Sequence, residues 1–489
     1  MTSPAFLPAK TLAGLIRRKK IGSAELLDLY LARVEKYNPA VNAIVAAPGA
    51  DELIAAARKR ARAADRALAK GEVWGPFHGV PMTAKEAFDV AGLPTTWGLP
   101  QFKDNRPAED AVAVVRLRGA GAIPFGKTNV PAWLADGQSF NAVYGVTRNP
   151  WDLSRTPGGS SGGAAAALAA GLTALEIGSD IASSIRNPSN YCGTYGHKPT
   201  YGICPPRGHA VTGRLTPDDI NVVGPMARSA FDLDAMLLAM AGPDDLDAAG
   251  WTLALPKPRQ RALKEFRVGV LLSDAVSEVD EEVQAAIARL ADVLRREKVK
   301  VTMDAKPAID MARAQFLFNT LLRAATSHRQ TDEEFAEAVK AADALDPADD
   351  SHAARMMRAV ALRHRDWLLL NEERHRMRLA WRDFFRSYDV LVCPMVTTPA
   401  HPHVHDVPTY QRTIVINGKT LPWFTMLFWA GLTGASYLPS TAIPIGFSKT
   451  GLPIGAQVVG PAYGDLACIR FAQWLERAYQ GFVPPPGFE

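Results

Sequence analysis

RTPGGSSGGAAAALAAG, residues 155–171, and GSDIASSIRNP, residues 178–188, carry the reading of this chain. Taken alone, GGSSGG is the composition of a flexible linker. Its surroundings argue otherwise: Arg155-Thr156-Pro157 precedes it and a helix-forming Ala/Leu run follows at once. A Gly-rich turn at a helix N-terminus points backbone N–H groups at one spot, which suits an oxyanion or a phosphate. The second segment is a tight turn after a short strand ending near Gly178, and it offers two hydroxyls, Ser183 and Ser184, among small residues. A hydroxyl nucleophile needs a base and a preorganised oxyanion site. The two turns hold hydroxyls and converging amides, so the base has to come from elsewhere.

Outward from these turns, strands and helices alternate. Residues 10–70 read as helices, with Leu12, Leu15 and Ile16 on one face and Leu27, Tyr30, Leu31 and Val34 on the next. Ser23 is the expected N-cap of the second. GPFHGVPMTAKEAFDV and GAIPFGKTN read as strands and turns around a helix at Ala111–Gly119. RVGVLL, a helix at Glu281–Lys298 and KVKVTMD repeat the theme, and residues 306–385 are almost wholly helical. YDVLVCP, AIPIGF and GAQVVGP return to buried strands before a last helix at Asp465–Tyr479. The expected architecture is α/β: one unit over 1–489, a mixed twisted sheet covered by helices on both sides, with a helical cap at about 306–385.

Composition narrows the function classes. A hydrophobic share of 47% with 21% charged residues is that of an ordinary globular protein. The net charge of +5, from 55 Lys and Arg against 50 Asp and Glu, is too mild to imply nucleic acid or an anionic membrane. Four dispersed cysteines without a CxxC pair argue against a disulfide framework or structural zinc. The first twenty residues lack the apolar stretch of a signal peptide, so a cytoplasmic location is expected. The uncharged run Leu421–Phe447 is long enough to cross a bilayer, but Pro422, Pro439 and Pro444 break it. It reads as buried core and pocket wall, with no stable membrane insertion.

Histidine is the usual base for a hydroxyl, yet none stands in a suggestive place. His401, His403 and His405 form HxHxH, but Pro402 makes a surface loop the better reading than a metal site. Lys85, inside GVPMTAKEAF, is the better base, because burial disfavours the ammonium and a neutral amine accepts a proton. GAIPFGKT, 121–128, formally matches the phosphate-loop pattern GxxxxGKS/T, but apolar AIPF reads as a strand, which leaves Lys127 structural. Asp180 and Arg186 flank the nucleophile turn and are expected to hold it in place.

GVPMTAKEAF, GKTNVPAW, YGVTRNPWDLSRTPGGSSGGAAAALAAG, GSDIASSIRNPSNYCGTYGHKPTYG, NVVGPMARS and GLPIGAQVVGPAYGD resemble the amidase signature enzymes in order and spacing. The similarity runs from about residue 10 to 480 and is weakest at 300–385. GHKPT and the helical block resemble most the fatty-acid-amide-hydrolase-like bacterial branch. The resemblance implies a Ser–cisSer–Lys triad: Lys85 as base, Ser160 after a cis peptide bond as relay, and Ser184 as nucleophile. It also implies an oxyanion hole from the amides of Ile181, Ala182, Ser183 and Ser184, and no metal or organic cofactor. The family's usual Gly-Gly before the nucleophile is Ala182-Ser183 here. Ser184 keeps the family's S-x-R-x-P frame and is assigned the attack. Ser183 either adds a hydroxyl near the oxyanion hole, narrows the acyl pocket, or is a neutral small-for-small exchange.

The activity so implied is hydrolysis of an amide C–N bond through an acyl-enzyme. Trp97, Trp133, Phe140, Tyr144, Trp423, Phe424, Phe428 and Trp429 are candidate pocket aromatics, with Trp133, Gln138, Tyr144 and Phe428 singled out to touch substrate. They favour a hydrophobic or aryl amide, anilide or carbamate as the small-molecule partner, without nucleic acid, for a monomer or homodimer. The alternatives are a glutaminase-type subunit of a tRNA-dependent amidotransferase and a non-catalytic scaffold member of the family.

Overall fold

The computed structural model describes residues 3–45, 50–210 and 214–489. Ten strands matter for the site: β1 (Pro81–Lys85), β2 (Ile123–Thr128), β3 (Glu176–Asp180), β4 (Tyr195–Lys198), β5 (Val222–Ala227), β6 (Arg267–Val270), β7 (Lys300–Met303), β8 (Val390–Cys393), β9 (Ser440–Phe447) and β10 (Pro453–Val459). Eight of them form one mixed sheet in the order β3-β5-β4-β9-β10-β8-β6-β7. Neighbours from β3 to β8 run antiparallel, whereas β8, β6 and β7 are parallel. β1 and β2 pair in parallel beside β3, where Thr83 N donates to Leu175 O at 3.2 Å. β1, β3, β5 and β10 are buried at every position. In β5 and β10 this gives mostly apolar runs instead of alternating ones, whereas β1 and β3 bury Lys85, Glu176, Ser179 and Asp180, which must find partners inside the protein.

Parallel strands need crossovers. The amphipathic helix Glu281–Arg296 makes the one from β6 to β7, burying Val283, Ile287, Leu290 and Leu294. The block expected as a cap, residues 306–385, is the connection from β7 to β8, and it divides. The helix Asp332–Asp343 buries no residue. By contrast, the helix Met311–Thr326 sends Leu317, Phe318 and Leu321 into the main core, and the helix His364–Phe384 sends Met377, Trp381 and Phe384 there. Much of the block is therefore core, and only its outer helices lie over it.

The N-terminal helices are Ala9–Arg17, Ser23–Val41 and Ala50–Ala69. Ser23 is the first helical residue and not the cap: its Oγ donates to Gly79 O at 2.7 Å, and the Asp65 carboxylate accepts from the Ser23 and Ala24 amides instead. A carboxylate on a neighbouring helix replaces a local serine in that task, which sequence spacing does not reveal. All four cysteines are free and buried. No described helix is long and apolar enough to cross a membrane. The 421–447 run divides into a strand end, the short helix Phe428–Gly434 and β9.

Trp381 is fully buried, 5.5 Å from the Phe384 ring and 5.6 Å from that of Phe385. Trp381→Ala is expected to cost about 3–5 kcal/mol, the usual range for deleting a large core aromatic. Urea unfolding followed by circular dichroism measures it, and a loss under about 1 kcal/mol would make this helix a dispensable cover.

Candidate active site

Lys85 ends β1, and its side chain is fully buried. Its Nζ lies 2.7 Å from Ser160 Oγ and 2.9 Å from Ser179 Oγ. Burial lowers its pKa to about 7, against the opposing pull of Asp180 and Glu176. Glu176, at the start of β3, is pushed by burial up to about 8 and receives a hydrogen bond from Thr128 Oγ1 at 3.1 Å. Burial thus drives both groups toward their neutral forms near pH 7, and a neutral amine beside a hydroxyl is a proton acceptor. The sequence reading does not single out Ser179. The signal for it is its place on the strand running into the nucleophile turn, one residue before Asp180.

Ser160 belongs to the turn before the fully buried helix Gly162–Ala169, and the Gly159–Ser160 peptide is cis. Gly158 has φ +88°, and a Cβ there would come within 2.3 Å of Asn187 Oδ1, so only glycine lets the two turns meet this closely. Ser161 N donates to Ser184 O at 3.1 Å, which fastens one turn to the other. Ser184 is buried, and it lines a cavity of about 880 Å³ together with Gly159, Ile181, Ala182 and Ser183.

Asp180, at the end of β3, organises the turn at 181–186. Its carboxylate accepts from the amides of Ser183 at 2.9 Å, Ile185 at 3.1 Å and Arg186 at 3.3 Å. It also takes the Arg186 guanidinium, Nε at 2.9 Å and Nη2 at 3.0 Å, with both side chains fully buried. Burial alone would raise the pKa of Asp180, but Arg186 and these donors bring it down to about 2. Of the four amides expected to face an oxyanion, one has a partner of its own. The Ser183 amide is spent on Asp180, which leaves the amides of Ile181, Ala182 and Ser184 open beside the cavity.

Of the four residues singled out for substrate, Trp133 lines the cavity and the other three do not. Gln138 is buried and clamps a loop, with Nε2 donating to Val404 O at 2.7 Å and Oε1 accepting from Val404 N at 2.9 Å. Tyr144 OH donates to Glu86 Oε1 at 3.3 Å. Phe428 packs edge-on against Trp429, 5.1 Å between rings, beside a separate pocket with Phe424 and His352. Trp97 packs with Leu99 and Ala87, Phe140 packs on His405 at 4.1 Å, and Trp429 is core. Trp423 does reach the cavity, lying on Gly137, where a Cβ would come within 2.6 Å of the indole. The cavity therefore has an apolar floor of Trp133, Leu134, Ile181, Leu322, Trp423 and Leu427. Its lining is also charged, with Asp136 and Arg329 further in and the exposed Arg323, Glu333, Glu334 and Glu337 at its rim, which a reading from aromatics alone does not foresee.

The two decoys resolve geometrically. Lys127 lies buried in β2 with Nζ on Pro94 O at 2.7 Å and Thr95 Oγ1 at 3.0 Å, a structural role. The loop carrying His401, His403 and His405 is less exposed than expected. His401 is buried, its Nδ1 2.8 Å from Pro402 O, and burial lowers its pKa to about 4. Among the described residues, no three His, Cys, Asp or Glu side chains are grouped to hold a metal ion.

The family model Amidase matches residues 25–469. The chain is similar to a glutamyl-tRNA(Gln) amidotransferase subunit of Synechococcus sp. (strain CC9605), at 31% identity over 96% of this chain and 95% of the relative. It is similar to the human Fatty-acid amide hydrolase 2, at 30% identity over 100% of this chain and 92% of that one. In structure it is similar to a bacterial aryl acylamidase of the amidase signature family, with a TM-score of 0.81 and 25% identity over 99% of each chain. A family match over most of the sequence, the same fold, and a buried lysine against two joined serine turns together place this chain in the amidase signature family of amidohydrolases.

Proposed function

We propose that the protein cleaves the C–N bond of an amide through an acyl-enzyme on Ser184, with Lys85 as base and Ser160 as proton relay. The observation that carries this reading is Lys85, buried, held toward its neutral form and 2.7 Å from Ser160 Oγ beside the cavity that Ser184 lines. Ser184 Oγ attacks the carbonyl while its proton passes to Ser160 and that of Ser160 to Lys85. The amides of Ile181, Ala182 and Ser184 receive the oxyanion. The amine leaves with a proton returned through Ser160, and water releases the acyl group by the same path. Every step uses groups already named, so the reading calls for no cofactor. The protein would act in the cytoplasm, alone or as a homodimer.

The substrate is read from the cavity floor. Removing apolar surface from water contributes roughly 25 cal/mol per Å², so Trp133, Leu322, Trp423 and Leu427 favour an aryl or long-chain acyl amide, anilide or carbamate. A glutaminase-type amidotransferase subunit is the second reading. The charged rim favours it, because the α-carboxylate and ammonium of glutamine need ionic partners, and Arg323 has no ion-pair partner among the described residues.

Lys85→Ala is expected to lower kcat by about 10²–10⁴-fold, the usual share of a general base. With the Lys85 pKa at about 7, the working amine is present above that value and lost below it. The kcat/KM profile of the wild type should therefore fall on the acid side with a midpoint near pH 7. An acid limb centred near pH 4 would assign the base to a carboxylate instead.

Steady-state kinetics with hydrophobic anilides, acetamide and glutamine test the substrate class. The anilides should exceed the other two in kcat/KM by at least about 10²-fold, some 2.7 kcal/mol of transition-state binding. Glutamine turned over as well as an anilide would put the amidotransferase reading first.

A further inference from the structure

Ser183, the residue before the proposed nucleophile, has φ +105°, a region that side-chain-bearing residues rarely enter. Holding a non-glycine residue there strains the backbone, and glycine would avoid most of that strain. What serine adds over glycine is a methylene and a hydroxyl. That hydroxyl has no hydrogen-bond partner among the described residues, although Ser183 is only 6% exposed. The residue lines the cavity next to Ser184. Its amide, which would otherwise complete the row of donors along the turn, is turned to Asp180 at 2.9 Å. The N–H thus faces the carboxylate, and the Ser183 hydroxyl, unspent on any described residue, belongs to a residue that lines the cavity.

We infer that Ser183 Oγ–H is a donor to the oxyanion, standing in for the Ser183 amide that Asp180 occupies. The inference rests on the acyl-enzyme reading above. As the substrate carbonyl becomes tetrahedral, its oxygen gains charge between the open amides of Ala182 and Ser184, and residue 183 lies between those two in the chain. A hydroxyl there strengthens its hydrogen bond as the charge develops, so it acts on the transition state more than on the bound substrate. No bond is made or broken at Ser183; it keeps its proton throughout. A hydroxyl that only shaped the acyl pocket would act through its methylene, which alanine keeps.

The experiment compares wild type, Ser183→Ala, Ser183→Gly and Ser184→Ala on a hydrophobic anilide. It adds melting temperatures and inhibition by a trifluoromethyl ketone, which forms a hemiketal oxyanion on the nucleophile. Ser183→Ala should fold as the wild type does, keep KM within about threefold and lose about 10–10²-fold in kcat, toward the low end for one oxyanion donor. Its affinity for the ketone should fall by a similar factor. Ser183→Gly should lose a similar factor in kcat while melting no lower than the wild type, because its backbone strain is relieved. Wild-type kcat in Ser183→Ala overturns the inference, as does a loss confined to KM. Ser184→Ala separates the two readings. An inactive Ser184→Ala beside a fully active Ser183→Ala sinks the donor alone, whereas an active Ser184→Ala sinks the acyl-enzyme reading and the donor with it.

Discussion

The fully buried pair of Asp180 and Arg186 is the constraint on which the rest of the site depends. One carboxylate holds three amides of the turn and the Nε–Nη2 edge of a guanidinium. Arg186 then reaches Thr433 Oγ1 at 2.8 Å and Gln457 Oε1 at 3.1 Å. The nucleophile turn is thereby fixed to the helix Phe428–Gly434 and to β10, several strands along the sheet from β3. Such a pair is a poor source of net stability, since desolvating two charges consumes most of their attraction, but losing one partner strands the other at a cost of about 3–5 kcal/mol. Its effect here is positional. It sets which amides of the turn remain open, and a turn held this way needs no reorganisation when charge appears on the substrate.

The same dryness tunes Lys85. Lys85 lies among Ser160, Ser179 and the β3 backbone, where the ammonium finds hydroxyls but no close carboxylate contact. Asp180, the nearby anion that stays charged, already spends its oxygens on Arg186 and the turn. Glu176 is pushed toward its neutral form by its own burial and so does little to hold a proton on Lys85 near pH 7. A lysine with either carboxylate free to pair would stay charged and could not act as a base. The arrangement of ion pairs in the turn and the availability of the amine are thus one electrostatic problem, solved where β1 lies beside β3.

Much of this is legible in the sequence because it is local. The strand, turn and helix signals around 155–171 and 178–188 lie within a few residues of one another, and tight turns demand particular residue types. Lys85 can be selected because it is a lone cation in an apolar segment. The pocket is less legible for the opposite reason. Gln138, Tyr144 and Phe428 are polar or aromatic near the right motifs, yet each is taken up elsewhere: Gln138 by Val404, Tyr144 by Glu86, and Phe428 by Trp429 and its surrounding core. An aromatic residue in an apolar run has two possible fates, and only the packing decides between core and cavity. Ser23 loses its expected capping role in the same way, to a carboxylate 42 residues away.

The rim of the cavity explains why chemistry and substrate choice are written in different parts of the chain. Lys85, Ser160, Ser179 and Ser184 are themselves buried, on strands and turns packed into the core, so a change there disturbs packing. Glu333, Glu334 and Glu337 come instead from the helix Asp332–Asp343, which buries nothing. Glu334 caps its own helix by accepting from Thr331 N at 2.8 Å, and Glu337 pairs with Lys340 at 2.8 Å, both at the surface. Interactions of that kind are worth fractions of a kcal/mol each, so the charges at the mouth can be exchanged at little cost in stability. A scaffold whose buried groups are locked by core packing and whose cavity entrance is borne by a lightly held helix lets the charges at the entrance change while the buried geometry stays fixed.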